Sequence, residues 1–403
     1  MGLIILRIFY ALAIFFSMIY FADAAWNGPA TVLNMGWGNQ PGQVAINYGD
    51  TEDDFPQDFR IDQAGSILIP DSGNVRVQLF SATGNLVKII TPLGFTSVID
   101  SWPLQWELLS GSKLFTKRGD KYQIYNYDGS LIKQFSGVAT YIDEIASLPD
   151  DSIVVYKSDE KKFYQYSPTG QIIKIMTTRP LELGVVKEQR INSDKYKITV
   201  SYPERVYSLV LSGPYERYIK DANGYLYALS GKLVKKFNIC GRELGPLTLP
   251  ENQVTIIPPV GKGFEERAQL IAQYGEPVIA PNGDVYTWKR TPDKYSILKW
   301  TWVDDPNVPT GPDAPTNLGL TPSINGLYLT WKASPNDPGC VTKYEIARST
   351  TSGGVFSTID SVEKGVLKYN DTTAETGTTY YYKVRAMAGS DPSAYTSEVS
   401  GEK

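Results

Sequence analysis

Apolar residues in this chain come in short runs that alternate with polar positions and end at turn-forming residues. Between Asp58 and Ile90 the segment DFRIDQAGSILIPDSGNVRVQLFSATGNLVKII holds four such runs separated by three polar turns. Alternation such as Val77-Gln78-Leu79-Phe80 is the pattern of a half-buried strand. The unit then recurs. Aligned on a glycine, its copies are Phe80-Ser-Ala-Thr-Gly84, Tyr125-Asn-Tyr-Asp-Gly129, Tyr166-Ser-Pro-Thr-Gly170 and Phe237-Asn-Ile-Cys-Gly241. In the first three, an aliphatic (Leu86, Leu131, Ile172) and a lysine (Lys88, Lys133, Lys174) follow in the same register. Glycine supplies the positive φ of a tight turn at no steric cost. The aromatics are expected in the packing between sheets.

A second anchor opens a strand upstream in each unit, at Gly65-SILIP, Gly111-SKLFT, Asp151-SIVVY, Gly224-YLYAL and Gly283-DVYTW, with Asp194-KYKITV a weaker sixth. These anchors lie 30 to 59 residues apart, around the ~40–45 residues that a propeller blade of four strands occupies. A lone four-stranded sheet has two apolar faces and cannot bury them by itself, so neighbouring sheets must cover one another. The predicted fold is all-β, with a β-propeller over residues 25–303. Six blades are expected, with five the alternative, because the stretch from about 180 to 215 is short for a whole blade. After Gly283 the last unit lacks an outer strand. Gln43–Tyr48 is strand-like and is predicted to supply it, closing the ring and sealing an edge.

The first 24 residues stand apart from this pattern. Arg7 precedes an apolar run from Ile8 to Phe21 that ends in Ala22-Asp23-Ala24, which reads as a secretory signal with a small-x-small cleavage site. That run is shorter than the ~20 residues of a membrane span, so the mature chain is expected to be exported, extracellular or periplasmic, without a span.

Composition narrows the chemistry. A net charge of −4 with interspersed signs offers no basic field for phosphate backbones, so nucleic acid is not an expected partner. Histidine is absent from all 403 residues. That excludes hydrolases built on an imidazole base and histidine-ligated zinc, copper or haem. Carboxylate-based catalysis and oxygen-ligated calcium survive. No cofactor and no metal site is predicted.

The fragment Gly65-SILI-Pro-Asp71-Ser-Gly-Asn74-Val-Arg76-Val-Gln-Leu-Phe80, with its trailing glycine, resembles the NHL-repeat family of six-bladed propellers. Residues 304–315, DDPNVPTGPDAP, carry four prolines and read as an extended linker. Beyond it, residues 316–403 alternate as short strands in the manner of a β-sandwich. With Pro315, Leu318, Leu329-Thr-Trp331, Tyr344-Glu-Ile346 and Gly377-Thr-Thr-Tyr380-Tyr-Tyr-Lys-Val384-Arg-Ala386, this segment resembles an immunoglobulin-like fibronectin type III domain. The resemblance implies structural roles for Trp331, between the sheets, and Tyr380, at a strand corner.

Several residues invite a chemical reading. Cys240 and Cys340 fall one in each predicted domain, both on turns, and an oxidising compartment permits a disulfide between them. Arg118-Gly119-Asp120 matches an adhesive tripeptide but lies on a strand-connecting loop, where glycine and aspartate are the ordinary choice. Asn370-Asp371-Thr372 fits a glycosylation acceptor. Asp50, Glu52, Asp53, Asp54 and Asp58 form an acidic cluster without the spacing of a calcium loop. The loops joining second and third strands are more informative, because in a propeller they emerge on one face. They place Arg76, Lys117, Arg118, Lys121, Lys157, Lys161, Lys289 and Arg290 around one rim, with Trp102, Tyr141 and Tyr215 on inter-blade connections as aromatic anchors. The expectation is an exported, non-enzymatic interaction protein whose propeller rim binds a protein or a glycan, with the sandwich as spacer or second contact. The competing reading is a metal-dependent, lactonase-like or carbohydrate-active propeller hydrolase, which would need convergent acids or metal ligands at the ring centre.

Overall fold

The computed structural model describes residues 25–45, 47–48, 53–54, 56, 58–92, 105–118, 120–138, 144–203, 205–257, 267–303, 311–337 and 339–403. The predicted signal segment, Trp102, Tyr141, Asp50, Glu52, Gly119 and residues 304–310 of the linker lie outside them, as do the side chains of Asp53, Asp54 and Arg118. Two compact units are present. One comprises residues 28–300 with the short segment 336–341; the other holds residues 301–335 and 342–403 together with the start of the chain.

Among the described residues, six sheets of three or more strands follow one another along the first unit. The first runs Arg60–Ile61, Ile67–Asp71, Arg76–Phe80 and Leu86–Ile90, each strand antiparallel to the next. Sheets two, three and five repeat this four-strand order, beginning at Gln105–Leu109, Glu144–Ser147 and Arg217–Lys220. The fourth has three strands, Val185–Arg190, Tyr196–Tyr202 and Arg205–Leu211, which accounts for the short spacing there. First strands of neighbouring sheets lie side by side: Glu144–Ser147 against Gln105–Leu109, and Val278–Ile279 of the last sheet against Arg60–Ile61 of the first. This is the arrangement of a six-bladed β-propeller.

Alternation sends successive residues of one strand to different blade interfaces. Ile67 and Ile69 join Leu33, Met35, Tyr286, Tyr295 and Ile297 of the last sheet, while Leu68 joins Trp106, Leu114 and Tyr125 of the second. Phe80, Tyr125, Tyr166 and Phe237, the aromatics of the repeat, are all buried in such interfaces. The turn glycines have a matching role. Gly84, Gly129, Gly170 and Gly241 adopt φ of 82° to 87°. A Cβ on Gly170 would enter the ring of Phe135 on the preceding blade, and one on Gly241 would stand 2.7 Å from the Ser208 carbonyl oxygen. The turns at Gly84, Gly170 and Gly241 thus rest on a neighbour's backbone or ring, where only glycine fits, while a Cβ on Gly129 would meet only the end of the Lys88 side chain at 3.8 Å. The repeated lysines lie on the outermost strands, Leu86–Ile90, Leu131–Ser136 and Ile172–Met176, which are mostly exposed. Charge on such edges opposes pairing with another chain.

Ring closure differs from the expectation. The strand beside Lys294–Val303 is Ala25–Trp37. Gln43–Val44 instead pairs in parallel with Gly36 and Trp37, and Asn47–Tyr48 pairs with Asp53–Asp54. The longer strand wins because it carries its own inward pair, Leu33 and Met35, and a hydrogen bond from Ser296 Oγ to Asn34 Oδ1 (2.8 Å). Gly84 of the first blade abuts Val32 of this strand, just as the later turns abut the blade before them.

The second unit contains a sheet of Thr316–Ser323, Gly326–Lys332 and Lys368–Asp371 and a sheet built on Lys343–Ser349, Ser357–Glu363, Thr379–Ala388 and Val399–Glu402. Trp331 is buried, 5.7 Å from the Tyr344 ring. Tyr380 is buried and its hydroxyl accepts the Glu375 N–H at 3.5 Å. Two residues on, Tyr382 donates a shorter bond to Asp371 (2.6 Å).

Candidate functional site

The cations foreseen on the rim divide between the interior and the surface. Arg76 is buried: its Nε donates to Asp71 (2.8 Å), and its two terminal nitrogens reach the carbonyls of Asn39, Gln40 and Gln43 at 2.8–2.9 Å. It holds the segment after the closing strand against the first blade. Lys117 and Arg290 are buried too, and burial lowers the Lys117 ammonium below its ordinary range. Lys289 lies over the Tyr274 ring at 5.5 Å. Lys157 pairs within its own loop with Asp159 and Glu160. Lys121 and Lys161 are exposed. A buried cation must find acceptors, and in a propeller the nearest are backbone carbonyls of adjoining loops. Tyr215 is half-buried and packs against the core of blades four and five.

What the fold does assemble is a recess of about 600 Å³ at blades five, six and one. Its wall comes from the first strands of those blades, with Arg60, Arg217 and Ile219, Val278 and Ile279, and from Asp58 and Phe59 just before the first of them. The last blade shapes it with a break in its inner edge. Arg267–Tyr274 and Val278–Ile279 both pair with Val285–Arg290, and Gly275-Glu276-Pro277 intervenes. A Cβ on Gly275 would fall within the Trp288 ring, so glycine lets the break lie flat on that indole.

Charge in the recess is arranged in held pairs. Arg60 Nη1 donates to Asp58 and to the Phe59 carbonyl, its Nε lies 3.7 Å from Glu107, and its guanidinium stands over Trp106 at 5.3 Å. Burial works against the Arg60 charge, yet Glu107 and Asp58 outweigh it and raise its pKa. Burial pushes the Glu107 carboxyl up, only partly offset by Arg60. Across the recess, Arg217 Nη2 meets Glu276 at 3.0 Å and the Pro277 carbonyl at 3.3 Å. Lys232 Nζ donates to the carbonyls of Tyr274 and Gly275 (2.6 Å to the latter), and burial lowers its pKa. Apart from Asp58, named within the acidic cluster, sequence reading missed these residues. They span more than two hundred positions and share no motif.

Among the described residues no group of three or more carboxylates or cysteines is placed to hold a metal ion. No helix among them is long and apolar enough to cross a membrane. Asp371 of the glycosylation tripeptide is fully buried, and Asn370 lies in a strand paired with Tyr328, so the tripeptide is not an open loop. Cys240 and Cys340 form a disulfide with Cα atoms 5.3 Å apart. Both lie in the propeller unit, to which residues 336–341 belong.

No known protein family matches the chain, and no curated protein does. Solved structures similar to it include a Fn3-like protein from Clostridium thermocellum, 34% identical over 22% of this chain and 91% of that one (TM-score 0.20). Virginiamycin B lyase from Staphylococcus aureus is 12% identical over 65% and 99% (TM-score 0.35). The extracellular domain of a putative one component system from B. thetaiotaomicron is 9% identical over 85% and 49% (TM-score 0.31). Such scores leave the architecture to be read from sheet order and packing. On those grounds the chain is an all-β protein that joins a six-bladed β-propeller to a fibronectin type III-like sandwich.

Proposed function

We propose that this is an exported, non-enzymatic binding protein, an NHL-type propeller that takes a protein or glycan partner. The ligand site moves from the rim to the recess of blades five, six and one. The observation that carries this reading is the recess itself: its arginines are fixed by counter-charges, as in a site built to recognise rather than to react. Its acids are engaged by Arg60 and Arg217, and no nucleophile–base pair faces it among the described residues. Preorganised hydrogen-bonding groups on rigid strands suit recognition, since little ordering remains to be done on binding.

The test is capture of partners from the native secretome and from a glycan array, using the whole mature chain and an Ile219→Trp variant that fills the recess. Capture by wild type and its loss in the variant, with unchanged melting, are expected. Equal capture by both overturns the placement of the site. Metal-dependent hydrolysis abolished by a chelator would replace this reading with the hydrolase.

A further inference from the structure

We infer that blade four carries a second binding site, separate from the recess: one bare face of its sheet binds a carboxylated, uronic acid-containing polysaccharide. In blades one, two, five and six a middle strand is buried on both faces, as Ile67–Asp71, Lys121–Asn126, Leu226–Ser230 and Val285–Arg290 are over most of their length. Tyr196–Tyr202, the middle strand of blade four, alternates instead. Ile198, Val200, Tyr202, Tyr207, Leu209 and Leu211 share a core cluster with Leu226, Ala228 and Phe237 of blade five. The register sets the residues between them on the other face, in three rows of three across the sheet. None of those nine is buried.

The layout of this face selects the partner. Val185, Val206 and Val210 stand at three corners and Gln189 at the fourth. Thr199 is at the centre, with Lys187, Lys197, Ser201 and Ser208 on its four sides. Among the described residues, the side chains of these six polar groups make no hydrogen bond or ion pair. A protein interface has an apolar, aromatic-rich centre and a polar rim; this face has the reverse. A second copy of the chain would set two lysines against two. No ring is present for a neutral sugar to stack on. What the face offers is a patch of about 10 Å by 13 Å between its outer Cα positions, bearing hydroxyls, an amide, two positive charges and no acid. Lys187 and Lys197 are diagonal neighbours on adjacent strands, with Cβ atoms about 7–8 Å apart. Carboxylates along a polysaccharide complement that charge, and its hydroxyls pair with the serine, threonine and glutamine side chains.

The probes are trigalacturonate, its uncharged methyl ester and triglutamate, titrated into the whole mature chain and followed by ligand-observed NMR. Trigalacturonate is expected to saturate, and its methyl ester to bind at least roughly five-fold more weakly, as loss of two exposed ion pairs implies. Triglutamate, with carboxylates but no ring hydroxyls, should also be weaker. Lys187→Gln and Lys197→Gln together should weaken trigalacturonate by a similar factor and leave the ester unchanged. Ser208→Glu, which adds a carboxylate on the third strand, should weaken trigalacturonate too. All three positions are exposed, so melting should match wild type; if the lysine variant melts lower, Ser208→Glu decides. Ile219→Trp, which fills the recess, should leave trigalacturonate binding unchanged. The inference is overturned if trigalacturonate shows no saturation, if the ester or triglutamate binds as well, or if neither the lysine variant nor Ser208→Glu weakens binding. It is also overturned if Ile219→Trp abolishes binding, which would return the sugar to the recess.

Discussion

The loop between the second and third strands of blade one, Asp71 to Arg76, and its counterpart in blade three, Lys157 to Lys162, occupy the same place in the repeat and are similarly charged. Their fates are opposite. In blade one Asp71 is fully buried and accepts from Ala45 N (2.9 Å), Asn74 (2.8 Å), Arg76 (2.8 Å) and Gln78 (3.2 Å). In blade three Lys157, Asp159, Glu160 and Lys162 pair among themselves at the surface. The difference comes from elsewhere in the chain. The segment Gly38–Gln43, which follows the closing strand, lies on the first loop and supplies the acceptors. Where such a segment arrives, charge becomes internal structure; without it, the same composition stays solvated.

The largest effect should come from Asp71→Ala, which leaves Arg76 buried without its carboxylate. Denaturant unfolding should show a loss of about 3–5 kcal/mol, the usual result of removing one partner of a buried ion pair. A loss below 1 kcal/mol would mean that the loops are equivalent after all. Gln78→Ala should cost about 1–3 kcal/mol, since the Gly42 N–H loses its partner and the Gln43 carbonyl keeps only the Arg76 donor.

A smaller effect tests the third charged cluster, Asp58-Arg60-Glu107. Because the folded Glu107 carboxyl is raised, the folded chain keeps a proton that the unfolded chain has released. Its contribution is full below the unfolded pKa and declines as pH rises through the folded value. Glu107→Gln should flatten that decline in a pH series of melts; an unchanged slope would show that Glu107 titrates normally.

The smallest effects belong to blade three. Lys161 adopts φ of 53°, a conformation that glycine takes without steric cost, so Lys161→Gly should change stability by only about a few tenths of a kcal/mol, on the stabilising side. Lys161→Ala and Lys121→Ala should stay within about 0.5 kcal/mol of wild type, as exposed sites do. A large loss from either would break the comparison from the other side.

Much of the fold was legible because it rests on local, periodic constraints. The aromatic-to-glycine register marks blade interfaces, since the turns at Gly84, Gly170 and Gly241 touch a neighbour too closely for a Cβ and the aromatic of each repeat is buried between sheets. The closing strand was less legible. Gly28-Pro29 and Gly36 read as breaks, yet Leu33 and Met35 between them keep strict alternation. The disulfide shows the same limit: sequence permitted Cys240 to meet Cys340, and only the approach of residues 336–341 brings their Cα atoms to 5.3 Å.

By itself, then, the sequence determined the alternation, the blade period, the absence of imidazole chemistry and the sandwich that follows, because each depends on residue type and near neighbours. Which charges are buried, which strand seals the ring and which residues gather around a recess were decided by the tertiary structure. Arg60 and Arg217 line one recess only because closing the ring brings the first and fifth blades to either side of the sixth, and that proximity has no trace in local sequence.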